Sequence, residues 1–128
     1  MMNYIIIIDS FIFIILGLIH FYWAFGGTIA LNKALPTTIE GVKLFNPGKF
    51  LTIVVGIVLL FFAYMVLKIE SSIFVLAILF AIRAVGDFHY VGFLKKIKST
   101  PFAIYDTKYF SPLCLYLSLS LGYIAYNV

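Results

Sequence analysis

Four apolar runs dominate this 128-residue chain, and polar residues concentrate in the segments between them. The runs cover residues 4–25, 50–67, 72–93 and 112–127. An apolar helix of about 20 residues crosses the hydrocarbon core of a bilayer, and continuous apolar runs favour helices over the alternating strands of a membrane β-barrel. The pattern therefore predicts an all-α fold, an integral membrane four-helix bundle in which residues 1–128 form a single four-span membrane domain.

Local signals set the expected ends of these helices. Residues 46–47 and 111–112 are an asparagine and a serine, each followed by proline, which suits an N-cap and the first helical position. The two glycines at residues 26–27 are suited to ending the first helix. The connection over residues 68–71 is short, so the second and third spans are expected to be antiparallel neighbours.

Composition agrees with a membrane protein. Hydrophobic residues make up 64% of the chain and charged residues 11%, whereas soluble domains are about 45–50% apolar. The net charge of +4 does not indicate nucleic acid, because the basic residues apart from Lys68 and Arg83 lie in two loops that are too small to form a large polyanion-binding face. One cysteine excludes an internal disulfide, and the two histidines with this cysteine lack the spacing of a metal site. We therefore expect no metal and no cofactor.

The lysines indicate how the bundle is oriented. Only Lys68 lies on one side of the predicted membrane, and seven others flank or fill the two longer loops: Lys33, Lys43, Lys49, Lys95, Lys96, Lys98 and Lys108. Because positively charged loops stay in the cytoplasm, both longer loops are expected there. The spans are then antiparallel, with both termini on the non-cytoplasmic side. The expected location is a bacterial inner membrane that the chain crosses several times.

The third apolar run carries the most unusual residues. Arg83 and Asp87 lie one helical turn apart near its middle, and Tyr90 falls on the same helical face. A lone charge at the bilayer centre costs about 2.5–3.5 kcal/mol, so such residues normally face the bundle interior, pair with one another and mark a site. An ion pair that only fixes helix packing is the structural alternative.

One face of the first apolar run contributes the other candidates. His20 and Trp23 lie on this face at helical spacing, and His20 is at a depth similar to that of Asp87. Histidine titrates near neutral pH, whereas a histidine bonded within the bundle and an interfacial tryptophan are the simpler alternatives. Asp9 lies three turns away, where a separate role or contact with water is expected. The predicted ligand-binding set is His20, Trp23, Arg83, Asp87 and Tyr90.

Three stripes of small or hydroxyl residues predict helix packing or a cavity wall. Two stripes have the size and spacing that close helix packing in lipid requires: Ser111, Cys114, Ser118 and Gly122 in the fourth run, and Gly48, Thr52 and Gly56 in the second. A further stripe in the fourth run can line a cavity, and it consists of Tyr116, Ser120, Tyr123 and Asn127.

Three short blocks carry a family resemblance. Residues 20–27 read HFYWAFGG, residues 83–93 read RAVGDFHYVGF and residues 106–114 read DTKYFSPLC. With these blocks the chain resembles a family of small bacterial four-span membrane proteins known as domain of unknown function 3995. The resemblance extends over nearly the whole length. It implies the fold and the membrane location, and it brings no known activity.

These residues suggest three functions and leave open whether the protein is an enzyme. In the first, a polar pocket toward the cytoplasmic leaflet binds a small amphipathic or lipid-like ligand, with Arg83 holding an anionic head and His20 available for proton transfer. In the second, Asp9, Arg83 and Asp87 with His20 line a proton or small-solute pathway.

The third predicted function is that of a structural or regulatory subunit of a membrane complex. Residues 48, 52 and 56 would then form an outward-facing contact stripe. Across the three functions the expected partners are membrane lipid, a small amphipathic ligand, and a membrane protein or a second copy of this chain. No nucleic acid is expected.

Overall fold

The computed structural model describes residues 2–29, 40, 48–86 and 91–127, and every regular element in these parts of the chain is helical. This confirms the predicted all-α fold. The helices are α1 (Met2–Ala24), α2 (Lys49–Lys68), α3 (Ile73–Val85), α4 (Pro101–Tyr105) and α5 (Ser111–Asn127). A 3₁₀ turn, Glu70–Ser72, leads into α3, and one π-helical turn, Asp106–Phe110, joins α4 to α5.

The first helix ends where its two glycines predict. Gly26 has a φ of 103°, a left-handed conformation that favours glycine. The amide of Gly27 donates to the Tyr22 carbonyl at 2.9 Å, which satisfies a carbonyl in the last turn of α1. The prediction that this glycine pair terminates the helix is confirmed.

Helices α1 and α2 approach closely at a pair of glycines. A Cβ atom added to Gly17 would lie 3.0 Å from the Gly56 carbonyl oxygen, so even one methyl group would crowd the neighbouring backbone. Gly56 is therefore a packing residue, as its spacing predicts. The proposed outward-facing stripe is wrong at this position, because Gly56 is buried against α1.

Helix α3 is shorter than its apolar run. It ends at Val85 rather than near residue 93, and its 13 residues extend about 20 Å. Gly86 and Gly92 have φ values of 85° and 90°, and the Phe93 amide donates to the Ala84 carbonyl at 2.8 Å. Residues 91–93 therefore pack back against the end of α3, in the position that a longer α3 would have taken.

The last helical segment begins earlier than predicted. The Thr100 hydroxyl accepts from the Ala103 amide at 3.1 Å, and Pro101 occupies the first turn of α4. A proline inside an α-helix collides with the carbonyl four residues earlier. We attribute the π-helical turn to Pro112, because the wider turn lies where its ring would meet the Lys108 carbonyl.

One hydrophobic core connects the helices. Phe13 of α1, Phe62 of α2 and Phe80 of α3 make mutual ring contacts with centroids 5.4–6.2 Å apart. Helix α1 packs mainly along α2, and α3 packs mainly along α5. The Ser118 hydroxyl donates to the Ala77 carbonyl at 3.0 Å, and Cys114 is buried, so this stripe of α5 is a packing surface as predicted.

Within the described residues, two helices are long and apolar enough to cross a membrane. These segments are Asn3–Ala24 and Lys49–Lys68. Only 22% and 17% of their most apolar stretches are buried within the protein, so most of their side chains face outward. The four-span arrangement, in which α3 and the segment from α4 to α5 are the other two spans, stays a prediction.

Candidate functional site

Arg83 lies in the last turn of α3 and pairs with an aspartate from a distant part of the sequence. Its Nη2 atom donates to Asp106 Oδ1 at 3.0 Å, and the two residues are 23 positions apart. Asp106 is fully buried, whereas the Arg83 side chain is 32% exposed. A fully buried carboxylate is stable only when it is paired with a cation and hydrogen-bonded.

The second oxygen of Asp106 is also satisfied. Oδ2 accepts from the Gly92 amide at 2.7 Å and lies 3.3 Å from Lys95 Nζ. The left-handed conformation of Gly92 presents this amide to the carboxylate, and an added Cβ would lie only 2.3 Å from the Val85 carbonyl oxygen. Glycine is therefore required at this point for both conformation and space.

Lys95 is buried with its ammonium group fully engaged. The side chain is 1% exposed, and Nζ donates to the Gly92 carbonyl at 3.0 Å and to the Thr107 hydroxyl. With the Asp106 contact this accounts for the three donors of an ammonium group. We call this group of five residues the Asp106 cluster, and it comprises Arg83, Gly92, Lys95, Asp106 and Thr107.

The Asp106 cluster holds two cationic side chains and one carboxylate, so its formal charge is +1. Lys95 has no donor left, but Arg83 Nη1 is buried and has no hydrogen-bond partner in the part of the chain that the structure describes. Ile82 and Val85, beside Arg83, are 63% and 41% exposed. The end of α3 that carries Arg83 therefore also presents apolar side chains to the outside.

His20 and Trp23 form a separate contact at the end of α1. The His20 Nδ1 atom lies 2.7 Å from the Leu16 carbonyl oxygen, and because a carbonyl only accepts, Nδ1 carries the proton. The ring of His20 packs edge-to-face against Trp23 at 5.1 Å, and the Trp23 indole donates to the Ile29 carbonyl at 2.9 Å. The polar pocket that these two residues are expected to share with Arg83 stays a prediction.

Asp87 and Tyr90 lie outside the described residues. The helical spacing that placed them on the face of Arg83 requires a helix through residue 90, and α3 ends at Val85. Their membership in the site stays a prediction without that support. The partner that the structure gives Arg83 is Asp106.

Asp9 is at the opposite end of the bundle from the Asp106 cluster, and the expectation that it reaches water is wrong. It is fully buried between α1 and α5. Its Oδ2 atom lies 2.6 Å from the Ser120 hydroxyl oxygen. The stripe that includes Ser120 thus contributes a polar group to the interior, although Tyr116 and Tyr123 on the same stripe are exposed.

Sequence reasoning missed Lys95 and Asp106 as site residues. The sequence pattern marks Lys95 only as a topology signal and predicts a loop at Asp106, between the third and fourth apolar runs. A signal for the second was present, because Thr100 followed by Pro101 has the same cap-and-proline pattern that marked the other helix starts. This pattern predicts that a helix begins at Pro101, which would place Asp106 in a helix and not in a loop.

Among the residues that the structure describes, no cluster of histidine, cysteine and acidic side chains could hold a metal ion. The chain is thus an all-α protein with two helices able to cross a membrane and a buried cluster of charged residues. The model of the family described as "Protein of unknown function (DUF3995)" matches residues 13–121. The chain belongs to this family, which confirms the resemblance. No match was found among curated proteins or solved structures.

Proposed function

We propose that this protein is a multi-pass membrane protein that binds the anionic head of an amphipathic molecule at Arg83. The observation that carries the proposal is the buried Nη1 atom, which has no partner among the described residues in a cluster of formal charge +1. A buried donor without a partner costs about 1–3 kcal/mol, so an anionic oxygen that bonds to it is stabilising.

The membrane location is supported by the outward surface of the helices. Ile7, Phe11 and Leu18 on α1 are more than half exposed, as are Ile57 and Phe61 on α2. Soluble monomers rarely leave contiguous apolar surface of this extent in water. Contact with lipid chains accounts for these side chains, and helices that are apolar on all sides are typical of membrane spans.

The cytoplasmic side is the proposed location of the Asp106 cluster. Lys96, Lys98 and Lys108 are exposed on the segment that contains it. The excess of lysines in this segment supports cytoplasmic orientation. Exposed lysines next to a membrane also attract the anionic lipids of that leaflet, which would raise the local concentration of the ligand.

The guanidinium geometry determines what can bind. Arginine presents a planar fork of donors that suits phosphate and carboxylate oxygens. Asp106 holds one arm of the fork at 3.0 Å, which fixes the direction of the other arm. The exposed Ile82 and Val85 side chains make the end of α3 apolar on its outer surface, which suits contact with lipid chains near this site. Together these features favour an anionic amphiphile over a free ion.

Native mass spectrometry of the purified protein with phosphatidylglycerol and with phosphatidylcholine tests this proposal. The protein should retain phosphatidylglycerol selectively, and Arg83→Gln should weaken its affinity about tenfold or more, because a hydrogen bond to a charged group contributes about 1.5–3 kcal/mol. Lys98→Gln is the matched control, since it removes one exposed positive charge from the same segment. Excess inorganic phosphate should not displace the lipid.

Equal retention of phosphatidylglycerol by the wild type and Arg83→Gln would contradict the proposal. Displacement by inorganic phosphate would instead assign Arg83 to a free anion. The Arg83→Gln variant is expected to fold, because Asp106 keeps its contacts with Lys95 and the Gly92 amide.

The same proposal includes His20 and Trp23 as neighbours of the bound molecule. Trp23 is the only tryptophan in the sequence, so its fluorescence reports on this part of α1 alone. Adding phosphatidylglycerol should change the emission of the wild type and leave Arg83→Gln unchanged. If both proteins respond equally, the two residues do not belong to the Arg83 site.

A further inference from the structure

Asp9 is a buried carboxyl group with few polar contacts. It lies on the inner face of α1 and is 0% exposed. Oδ2 is 2.6 Å from the hydroxyl oxygen of Ser120 on α5, and Oδ1 has no hydrogen-bond partner within the described part of the chain. The contact joins two helices whose residues are 111 positions apart in the sequence.

Counting protons at Ser120 indicates which group supplies the hydrogen. The same hydroxyl oxygen lies 3.2 Å from the Leu117 carbonyl oxygen. A serine hydroxyl has one proton to donate, and a carbonyl can only accept. If Ser120 donates to Leu117, the proton between Ser120 and Asp9 must belong to the carboxyl. One hydroxyl proton shared between the Asp9 carboxylate and the Leu117 carbonyl gives two weak bonds, whereas a protonated Asp9 gives each contact its own proton.

The charged and titratable groups around Asp9 do not offer a counter-ion. On α5 the Tyr116 phenol also forms a side-chain hydrogen bond with Asp9, and this phenol is neutral in its ordinary form. On α2, Tyr64 and Lys68 are exposed, and the ionisable side chain of α3, Arg83, is paired with Asp106. An unpaired carboxylate in such a place costs several kcal/mol, whereas a carboxylic acid does not carry that cost.

We propose that Asp9 and Ser120 form a proton-binding site that joins α1 to α5 and is occupied at neutral pH. The bound proton forms the bond from the carboxyl to Ser120, and Ser120 in turn bonds to Leu117. The Tyr116 phenol, which is 39% exposed, interacts with the carboxyl. This site is separate from the Asp106 cluster and does not depend on the function proposed for Arg83.

Infrared spectroscopy of the full-length protein tests the proposal. A protonated carboxyl has a C=O stretching band apart from that of a carboxylate, and the protein is measured at pH 7 in a detergent without ester groups. The band should be present in the wild type, absent in Asp9→Asn and retained in Glu70→Gln. Glu70 is the matched control, because it is an exposed carboxyl in the 3₁₀ turn between α2 and α3.

A second variant keeps the test decisive if Asp9→Asn does not fold. Ser120→Ala leaves the carboxyl in place and removes its hydrogen-bond partner, so the band should shift to higher frequency. A wild type without the band at pH 7, or a band that neither substitution alters, would overturn the proposal.

Discussion

Asp106 and Asp9 are both fully buried, yet their surroundings differ in kind. Asp106 is contacted by the side chains of Arg83 and Lys95 and by a backbone amide. Asp9 has neutral polar neighbours, the hydroxyl groups of Ser120 and Tyr116, and one of its oxygens has no hydrogen-bond partner within the described segments. The two carboxyl groups thus represent the two ways of burying this side chain, as a compensated ion and as a neutral acid.

The difference follows from what lies near each residue in the fold. The return of the chain at Gly92 brings Lys95 and a free amide to Asp106, close to the lysine-rich segment. Asp9 is surrounded by apolar helices, and the facing helix α5 contributes hydroxyl groups and no cation. The charge state of a buried aspartate is therefore set by its tertiary neighbours. The sequence around the aspartate does not reveal that charge state.

Replacing each aspartate by asparagine gives the largest expected contrast. Asp106→Asn leaves Lys95 and Arg83 without a counter-charge, which should lower the free energy of unfolding by about 3–5 kcal/mol. Asp9→Asn replaces one neutral group by another and should cost about 1 kcal/mol or less. Denaturant unfolding of both variants in the same detergent measures the difference, and equal losses would mean that the two sites do not differ in charge.

Gly92 tests whether the backbone builds the Asp106 cluster. Gly92→Ala adds a Cβ atom against the Val85 carbonyl in a left-handed conformation, and the loss of stability should reach about 3 kcal/mol. Gly26→Ala is the control, because Gly26 is also left-handed but has open space around it. It should cost about 1–2 kcal/mol. Comparable melting temperatures for the two variants would argue against a crowded crossing at Gly92.

Ser120 and Ser118 provide the smallest contrast, at the Asp9 end. Ser120→Ala removes the hydroxyl that contacts the buried Asp9 carboxyl at 2.6 Å and should cost about 1–3 kcal/mol. Ser118→Ala removes a hydrogen bond to the Ala77 carbonyl. Because this carbonyl lies inside α3 and can keep its bond within the helix, the loss should be about 1 kcal/mol or less. The same unfolding measurement ranks them. If Ser118→Ala is the more damaging variant, Ser120 does not support Asp9.

The long helices are predictable from the sequence because their signals are local. The apolar run of α1 and the glycines after it determine both the helix and its end, and the small residues of α2 predict its packing. The end of α3 is less evident, because the apolar run continues past Val85 and only the conformation of Gly86 shows the break. Proline at residue 112 was taken as a helix start, whereas a π-helical turn lets the helix continue through it.

The site was predictable only in part. Arg83 stands out because a charge inside an apolar run requires a partner. That partner, Asp106, is far along the sequence and is brought to Arg83 by the packing of α3 against α5 and by the return at Gly92. Local helical spacing offered Asp87 instead, since spacing along one helix is what a sequence displays most directly.

The central claim, that the free arm of Arg83 binds an anionic head, has a direct test because Arg83 is the only arginine in the sequence. Labelling arginine with ¹⁵N at the guanidinium gives a single signal, and solid-state NMR in phosphatidylglycerol bilayers can measure its dipolar coupling to lipid ³¹P. The account predicts clear dephasing of the Arg83 signal, from hydrogen-bonding contact with a phosphate. An Arg83 signal that keeps its full intensity in these bilayers would contradict the claim.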